Sequence, residues 1–202
     1  MATQSAAIGF APHSGWAAMI ALGINRTGPC VLARSRVLLI DDHDPDSKQP
    51  YHSVELLCVE EATGRLTGYL DVARAMAYAA IKTQAEELKS QGYGVRRAGI
   101  LESAGRKPSS LASILASHAL IHAADGDHFR NALWAAAGQY GLEVHRIQAR
   151  TLEEHAMARL HLPKQRMLDT VNQLGRQVGP PWGADQKKAA LLAWSLLKPE
   201  RS

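Results

Sequence analysis

The sequence predicts an α/β protein in which a mixed β-sheet carries helices on its faces. Three apolar segments near the N-terminus have strand composition and are separated by turn residues. From residue 71 onward the apolar period lengthens to three or four residues, which is typical of helices, and short strand-like segments alternate with these helices. Consecutive strands followed by alternating helix and strand favour a sheet with both antiparallel and parallel neighbours.

The first three strands are expected at residues 6–11, 15–23 and 29–40, with "NRTGP" as the turn between the second and third. The segment "DDHDPDSKQP" at 41–50 is rich in Asp and Pro and predicts a polar loop. The mixed pattern of the next segment, 51–60, leaves strand and helix start both open.

The rest of the chain predicts helices separated by two strands. Gly92 is a stop signal for the first helix, and Ser109 or Ser110 is the expected cap of the helix that follows Pro108. Helices are expected at 71–91, after Pro108, at 128–140, at 152–174 and at 185–197, strands at 96–102 and 142–147, and a breaker at 175–184. A chain of 202 residues fits one domain, here 1–202, with a helical C-terminal part at about 152–198.

Composition limits the class of protein. The net charge of +4 permits a polyanionic partner without requiring one.

The N-terminal segment lacks the pattern of a signal peptide, and charges interrupt every apolar run well short of the roughly 18 residues of a membrane span. We therefore expect a soluble, cytoplasmic protein with no membrane partner. Cys30 and Cys58 stand in apolar surroundings without metal-ligand spacing, so buried thiols are expected.

Three motifs carry a resemblance to a known family. The segment "GFAPHS" at 9–14 runs directly into "GWAA", Glu102 ends the strand in "GILESAGRKP", and "GADQKKAALLAW" places Asp185 at the start of the last helix. The chain resembles the RuvC-type Holliday-junction resolvase branch of the ribonuclease H-like superfamily. In that branch the first strand carries "GIDPGS" followed by "TGWA" or "TGYA". Its fourth strand ends in Glu before a basic loop, and its last helix opens with Asp-x-x-Asp-Ala-Leu-Ala.

The resemblance implies a nuclease site from which acidic residues are missing. A two-metal nuclease needs several carboxylates around cations about 4 Å apart. Ala11 stands where the family has its first aspartate, and Lys188 stands at the second acidic position of the last helix. Glu102 and Asp185 remain as catalytic candidates. We expect both to meet Ala11 at one end of the sheet, with Lys188 or another cation relieving their mutual repulsion in place of the metal.

The residues beside Ala11 offer one candidate replacement. His13 lies two residues on and is a candidate general base or ligand, with Ser14 as a candidate binding residue. A loop that turns at Pro12, with Ser14 bonding the backbone, explains the same residues.

A second candidate is the segment "SHALIHAADGDHFR" at 117–130. His118 and His122 are four residues apart and Asp125 follows three residues on, so all three share one helix face. Two imidazoles and a carboxylate at this spacing suit a transition metal. In the structural alternative, Asp125 caps a new helix and the histidines are bonded within a seam between helices.

The acidic loop is a third candidate. Asp41, Asp42, Asp44 and Asp46 resemble calcium-loop spacing, but the glycine and the closing glutamate of such loops are absent, which favours a solvated acidic loop. Tyr51 and His52, just beyond it, are candidate binding residues that reach toward the sheet end.

The sequence is compatible with three functions. In the first, the protein lacks the two-metal centre and uses a strand-end cleft for binding, with structured nucleic acid as the partner; the resemblance places Arg106, Lys107 and Lys188 near the strand ends, where the family holds phosphates. In the second, it is a divergent metal-dependent nuclease or hydrolase. His118, His122 and Asp125, with Glu102 and His13, then hold Mg²⁺, Mn²⁺ or Zn²⁺. In the third, it is a non-catalytic structural or protein-interaction module, with a homo-oligomer as one form.

Overall fold

The structure, a computed structural model, describes residues 3–103 and 110–197. Its five strands are β1 (Gln4–His13), β2 (Trp16–Asn25), β3 (Gly28–Leu38), β4 (Tyr93–Glu102) and β5 (Glu143–Gln148). They form one sheet in the order β3-β2-β1-β4-β5. The β1–β2 and β2–β3 pairs are antiparallel, whereas β1–β4 and β4–β5 are parallel. The predicted mixed sheet is confirmed.

The seven helices of the described residues flank this sheet. They are α1 (Pro50–Ser53), α2 (Val59–Ser90), α3 (Leu111–Leu115), α4 (His118–Gln139), α5 (Leu152–Leu160), α6 (Lys164–Val178) and α7 (Ala184–Leu196). No helix within these residues is long and apolar enough to cross a bilayer.

Strand alternation divides the core into two layers. Ala7 and Ala11 of β1 pack with side chains of α5, α6 and α7, whereas Ile8 and Phe10 pack with α2 and α4 on the opposite face. Because successive side chains of a strand point to opposite faces, an apolar strand such as β1 serves both layers. At the carboxyl ends of β1 and β4, polar side chains from both layers come together.

Helix α7 packs closely against β1 and β4. A Cβ at Gly9 would lie 2.0 Å from the carbonyl oxygen of Ala189, and one at Gly99 would lie 2.5 Å from Leu192. Glycine is therefore required at both positions, since any side chain would push the helix off the sheet. This close contact fixes Asp185, in the first turn of α7, relative to the end of β1.

Helix α2 begins at Val59, well before the expected residue 71. Gly64 and Gly68 weaken the intrinsic helix propensity of this stretch, but Ala62 and Leu66 pack against Val54 and stabilise it. The undecided segment before it forms the single turn α1 and a loop rather than a strand.

Two further expectations are wrong. Asp125 does not cap a new helix, because α4 runs without a break from His118 to Gln139 and buries Ile121, Asp125 and His128 along one side. Cys58 is exposed rather than buried, since it is the residue that precedes α2, and Cys30 is half-buried.

Candidate functional site

A cleft of about 200 Å³ opens at the end of the sheet where β1 and β4 finish. It is lined by ten residues of β1, β4, α4, α7 and the loop after β5, namely Ala11, Pro12, His13, Leu101, Glu102, Ser103, Arg130, Ala149, Asp185 and Lys188. We call this the strand-end cleft. The predicted meeting of Ala11, Glu102 and Asp185 at one end of the sheet is thus confirmed.

Asp185 faces a histidine across the cleft. Its Oδ2 lies 3.0 Å from Nε2 of His13, and both side chains are partly exposed. The His13 ring stacks on the Trp16 ring, with centroids 4.5 Å apart. The guanidinium carbon of Arg36 lies 4.0 Å from the centroid of the Trp16 ring. The stacking holds the imidazole in place beside the carboxylate.

Glu102, at the end of β4, contacts an arginine on the face of the sheet that packs against α4. Nε of Arg146, on β5, donates to Oε1 of Glu102, and Nη2 of Arg146 donates to Asn131 on α4 at 2.8 Å. The Glu102 side chain is 13% exposed, so this ion pair is largely shielded from water. Glu102 follows Leu101 in the strand, so its side chain points toward the α4 layer, whereas Leu101 packs in the α7 layer.

Lys188 or another cation was expected beside Glu102 and Asp185; Lys188 lies in the cleft but pairs with neither carboxylate, whereas Arg146 pairs with Glu102. Of the described residues, none forms an ion pair with Lys188; Asp185 contacts the imidazole of His13, and Glu102 pairs with the guanidinium of Arg146. Arg130 adds a further positive charge to the lining; its Nε donates to the carbonyl oxygen of Leu101 at 3.2 Å. Lys188 lies on the same side of α7 as Asp185, nearly one turn further along, and is exposed, so its ammonium is accessible to solvent or a ligand.

A groove continues from the cleft across α5, α6 and α7. Ala149 and Lys188 line both the cleft and this groove, whose volume is about 540 Å³. Its floor is apolar, and Arg150, Lys187 and Lys188 stand on it. Its one acidic residue, Glu153, lies 2.6 Å from Lys164. We call this surface the basic groove.

The groove extends further along α6 to the loop before α7. Lys187 also lines a third hollow of about 660 Å³ together with Arg176 and Trp182. Arg34 fixes this loop by donating to the carbonyl oxygens of Gly179, Pro180 and Pro181. Positive side chains therefore follow one another from the strand ends to the far side of α6.

Other predicted binding residues lie elsewhere. Ser14 belongs to the β1–β2 turn and lines a separate hollow of about 290 Å³ beside the acidic loop, where Asp41, Asp42 and Asp44 also lie. The acidic loop folds into a short 3-10 turn, Pro45–Lys48, in which Asp44 accepts a hydrogen bond from the Asp46 backbone. Arg106 and Lys107 lie outside the described residues.

Tyr51 and His52 contact α4 rather than the sheet end. The Tyr51 backbone N–H donates to Oδ1 of Asp125 at 2.7 Å, and Nδ1 of His52 lies 2.5 Å from Oδ2. Burial raises the pKa of the Asp125 carboxyl above its ordinary value, against the lowering effect of these two contacts. Burial also raises the pKa of Tyr51.

The histidines of α4 stand apart from the cleft. Arg130 reaches the end of β4, and His122 precedes it by eight residues, which is about 12 Å along the helix axis. His118 is one further turn away. The structure therefore does not bring His118, His122 and Asp125 together with Glu102 and His13 as one centre.

Three contacts of these sites are not predicted by the sequence. Two of them are the contacts of Arg130 and Arg146. Arg146 lies opposite Ile100 in the register of β4 and β5, and Glu102 lies two residues further along β4, so their ion pair is a diagonal cross-strand contact. The association of His52 with His118 and His122 has no local signal, since more than sixty residues separate them.

Comparisons with known proteins agree on the fold. No protein-family model matches the chain, and no curated protein does. Among solved structures, Thermus thermophilus RuvC superposes with a TM-score of 0.51 at 12% identity, over 94% of this chain and 92% of that one. T. thermophilus RuvC in complex with a Holliday junction substrate gives a TM-score of 0.50 at 12% identity, over 94% and 91% of the two chains. This likeness confirms the predicted ribonuclease H-like fold.

Proposed function

We propose that this protein binds nucleic acid along the strand-end cleft and the basic groove, and that it does not assemble a two-metal nuclease centre. The observation that carries the proposal is the continuity of the cleft with a groove lined by positive side chains that have no carboxylate partner among residues 3–103 and 110–197.

The charges of the groove favour a phosphate backbone as its ligand. Within the described chain, no ion pair involves Lys187 or Lys188, and Arg150 is hydrogen-bonded only to the neutral Gln148. Ammonium and guanidinium groups that are not neutralised by the protein are the groups that hold phosphates. The apolar floor between them suits the sugar and base edges of a polynucleotide, whose surface alternates between charged and uncharged parts.

The side chains of the cleft do not fit a pair of divalent cations. Ala11 offers no ligand atom, and Asp185 and Glu102 each contact a basic group. Among the described residues, one group of His, Cys, Asp or Glu side chains has three ligand atoms within 4.8 Å of one another, and it lies outside the cleft. A magnesium ion bound between Asp185 and Glu102 would have to displace His13 and Arg146 and approach Lys188.

The choice of probe follows from the structural neighbours. One of the RuvC structures holds a Holliday junction substrate. A four-way DNA junction is therefore the first ligand to test, with duplex and single-stranded DNA and RNA as comparisons. Binding of a branched probe in preference to a duplex of the same length would define the ligand class more closely.

The test is an anisotropy titration of labelled junction DNA at several salt concentrations, with wild type and two double variants. Lys187→Ala with Lys188→Ala removes two charges from the groove, whereas Lys82→Ala with Lys89→Ala removes two from α2 on the other face of the sheet. The groove variant should bind more weakly, with a salt slope smaller by about two, since each lost phosphate contact lowers it by about one.

The control variant should bind almost as wild type does. Equal losses in the two variants would indicate that net charge, rather than the groove, holds the nucleic acid. Absence of binding by the wild type even at low salt would contradict the proposal.

A further inference from the structure

Three imidazoles from two distant segments converge near the start of α4. His118 and His122 lie one turn apart on this helix, and His52 comes from α1, which packs against it. One ligand nitrogen of each ring lies within 4.8 Å of the others. Nε2 of His118 is 3.1 Å from Nε2 of His122. We call these three residues the histidine cluster.

A buried carboxylate stands behind the cluster and orients one of its rings. Asp125 is 3% exposed, its Oδ2 contacts Nδ1 of His52, and its Oδ1 accepts the backbone N–H of Tyr51. A proton on Nδ1 of His52, directed at the carboxylate, leaves the lone pair on Nε2. Metal-ligating histidines are commonly held by a carboxylate in this way, which fixes the tautomer and raises the basicity of the ligand.

We propose that His52, His118 and His122 bind a divalent transition metal ion, with Zn²⁺ as the ion that fits best, and that Asp125 is the positioning residue. Zn–N bonds of about 2.0–2.1 Å in a tetrahedral arrangement place ligand nitrogens roughly 3.3 Å apart. The His118–His122 separation of 3.1 Å is close to this value.

The donor set also discriminates between ions. Neutral imidazole nitrogens suit Zn²⁺, Co²⁺ and Ni²⁺, whereas Mg²⁺ and Ca²⁺ require oxygen ligands. Because His118 and His122 are exposed, the fourth position of a tetrahedral ion would face solvent and hold water or an exogenous ligand. The bound ion would also link α1, and with it the acidic loop that precedes it, to α4.

Ring packing, together with a hydrogen bond between Nε2 of His118 and Nε2 of His122, is the competing explanation. The centroid of His52 lies 5.3 Å from that of His118 and 4.4 Å from that of His122, which are ordinary aromatic separations. Packing does not require one ligand nitrogen of each ring to lie within 4.8 Å of the others, or a buried carboxylate to contact Nδ1 of His52. The experiment separates the two explanations, because packing predicts no metal uptake.

The test is a Co²⁺ and Zn²⁺ titration of untagged full-length protein, with Co²⁺ visible absorption and Zn²⁺ competition against a chromogenic chelator. We expect one ion per chain and the intense absorption of four-coordinate Co²⁺, which Zn²⁺ displaces. His122→Ala removes an exposed ligand and should lower the affinity at least tenfold. His43→Ala, an exposed histidine of the acidic loop, should leave it unchanged.

Asp125→Asn tests the positioning role. An amide offers one acceptor oxygen to the two N–H donors of Tyr51 and His52, so metal affinity should fall by roughly 10–100-fold with an altered Co²⁺ spectrum. A folded Asp125→Asn protein with wild-type affinity would contradict that role.

Circular dichroism without metal checks the fold of each variant. If Asp125→Asn does not fold, His122→Ala alone decides whether the site exists. Absence of uptake by the wild type, or equal uptake by His122→Ala, would overturn the proposal. Neither result bears on nucleic-acid binding, because the histidine cluster is not part of the basic groove.

Discussion

Nε2 of His13 lies 3.0 Å from Oδ2 of Asp185, beside the position where Ala11 carries only a methyl group. The two residues come from opposite ends of the described chain and meet because α7 lies against β1 without intervening side chains at Gly9. A charge-assisted contact between imidazole and carboxylate thus stands where a cation and its ligands would be required.

Restoring one acid should not restore a metal site. Ala11→Asp places a carboxylate at a position that is 4% exposed, so the free energy of unfolding should fall by roughly 1–3 kcal/mol. Mg²⁺ should not reverse this loss, because Lys188 and His13 remain. Ala11→Asp with Lys188→Asp should raise Mg²⁺ affinity more than the two single changes together. Calorimetric titration of the four proteins measures this, and tight Mg²⁺ binding by Ala11→Asp alone would refute it.

The ion pair between Glu102 and Arg146 should contribute more to the free energy of unfolding than an exposed ion pair does. Arg146→Met leaves a carboxylate that is 13% exposed without its cation, so the free energy of unfolding should fall by about 2–4 kcal/mol. Glu102→Gln in the same chain should recover part of that loss. Lys164→Met breaks the exposed pair with Glu153 and should cost less than about 1 kcal/mol. Urea unfolding of the variants compares them, and equal losses would show that shielding does not matter here.

The close approach of α7 to the sheet gives a matched pair of glycine substitutions. Gly9→Ala brings a methyl group against the Ala189 carbonyl and should lower the free energy of unfolding by about 3 kcal/mol. Gly64→Ala, in α2, meets no described atom within 4 Å and should raise it by up to about 1 kcal/mol. A Gly9→Ala protein as stable as the wild type would mean that α7 does not lie where the structure puts it.

Because His128 is buried, we expect the protein to lose stability in mildly acidic solution. It is 4% exposed, and burial lowers its pKa below the ordinary value of 6.5, although a hydrogen bond to the Tyr69 backbone opposes this. Its other neighbours are the rings of Tyr51 and Phe129.

As the pH falls through about 6.5, the unfolded chain takes up a proton that the folded chain does not, so the free energy of unfolding decreases. The decrease continues until the pH passes the lowered folded-state pKa. His128→Leu should remove up to about 1.4 kcal/mol per pH unit of this slope. Chemical unfolding at several pH values tests it, and unchanged slopes in His128→Leu would be the contrary result.

Local patterns predicted the strands, and the resemblance to the RuvC-type family predicted the meeting of Ala11 with Glu102 and Asp185. For Ala11 and Glu102 the physical reason is that the parallel strands β1 and β4 carry their carboxyl ends to one edge of the sheet. Local patterns failed where contacts distant in sequence decide the outcome. Arg146 pairs with Glu102 only through the register of β4 and β5. Asp125 looked like a cap because Gly126 follows it, but the buried side of α4 and the two donors from α1 keep it inside the helix. Tertiary packing overrides the local signal in each case.

We propose that this ribonuclease H-like fold holds nucleic acid without cutting it. The most direct measurement is to incubate end-labelled four-way junction DNA with excess protein and Mg²⁺ or Mn²⁺, and to run native and denaturing gels on the same samples. We predict a shifted band on the native gel and intact strands on the denaturing gel. Strands cut in a metal-dependent way, or a junction that is neither shifted nor cut at low salt, would contradict the account.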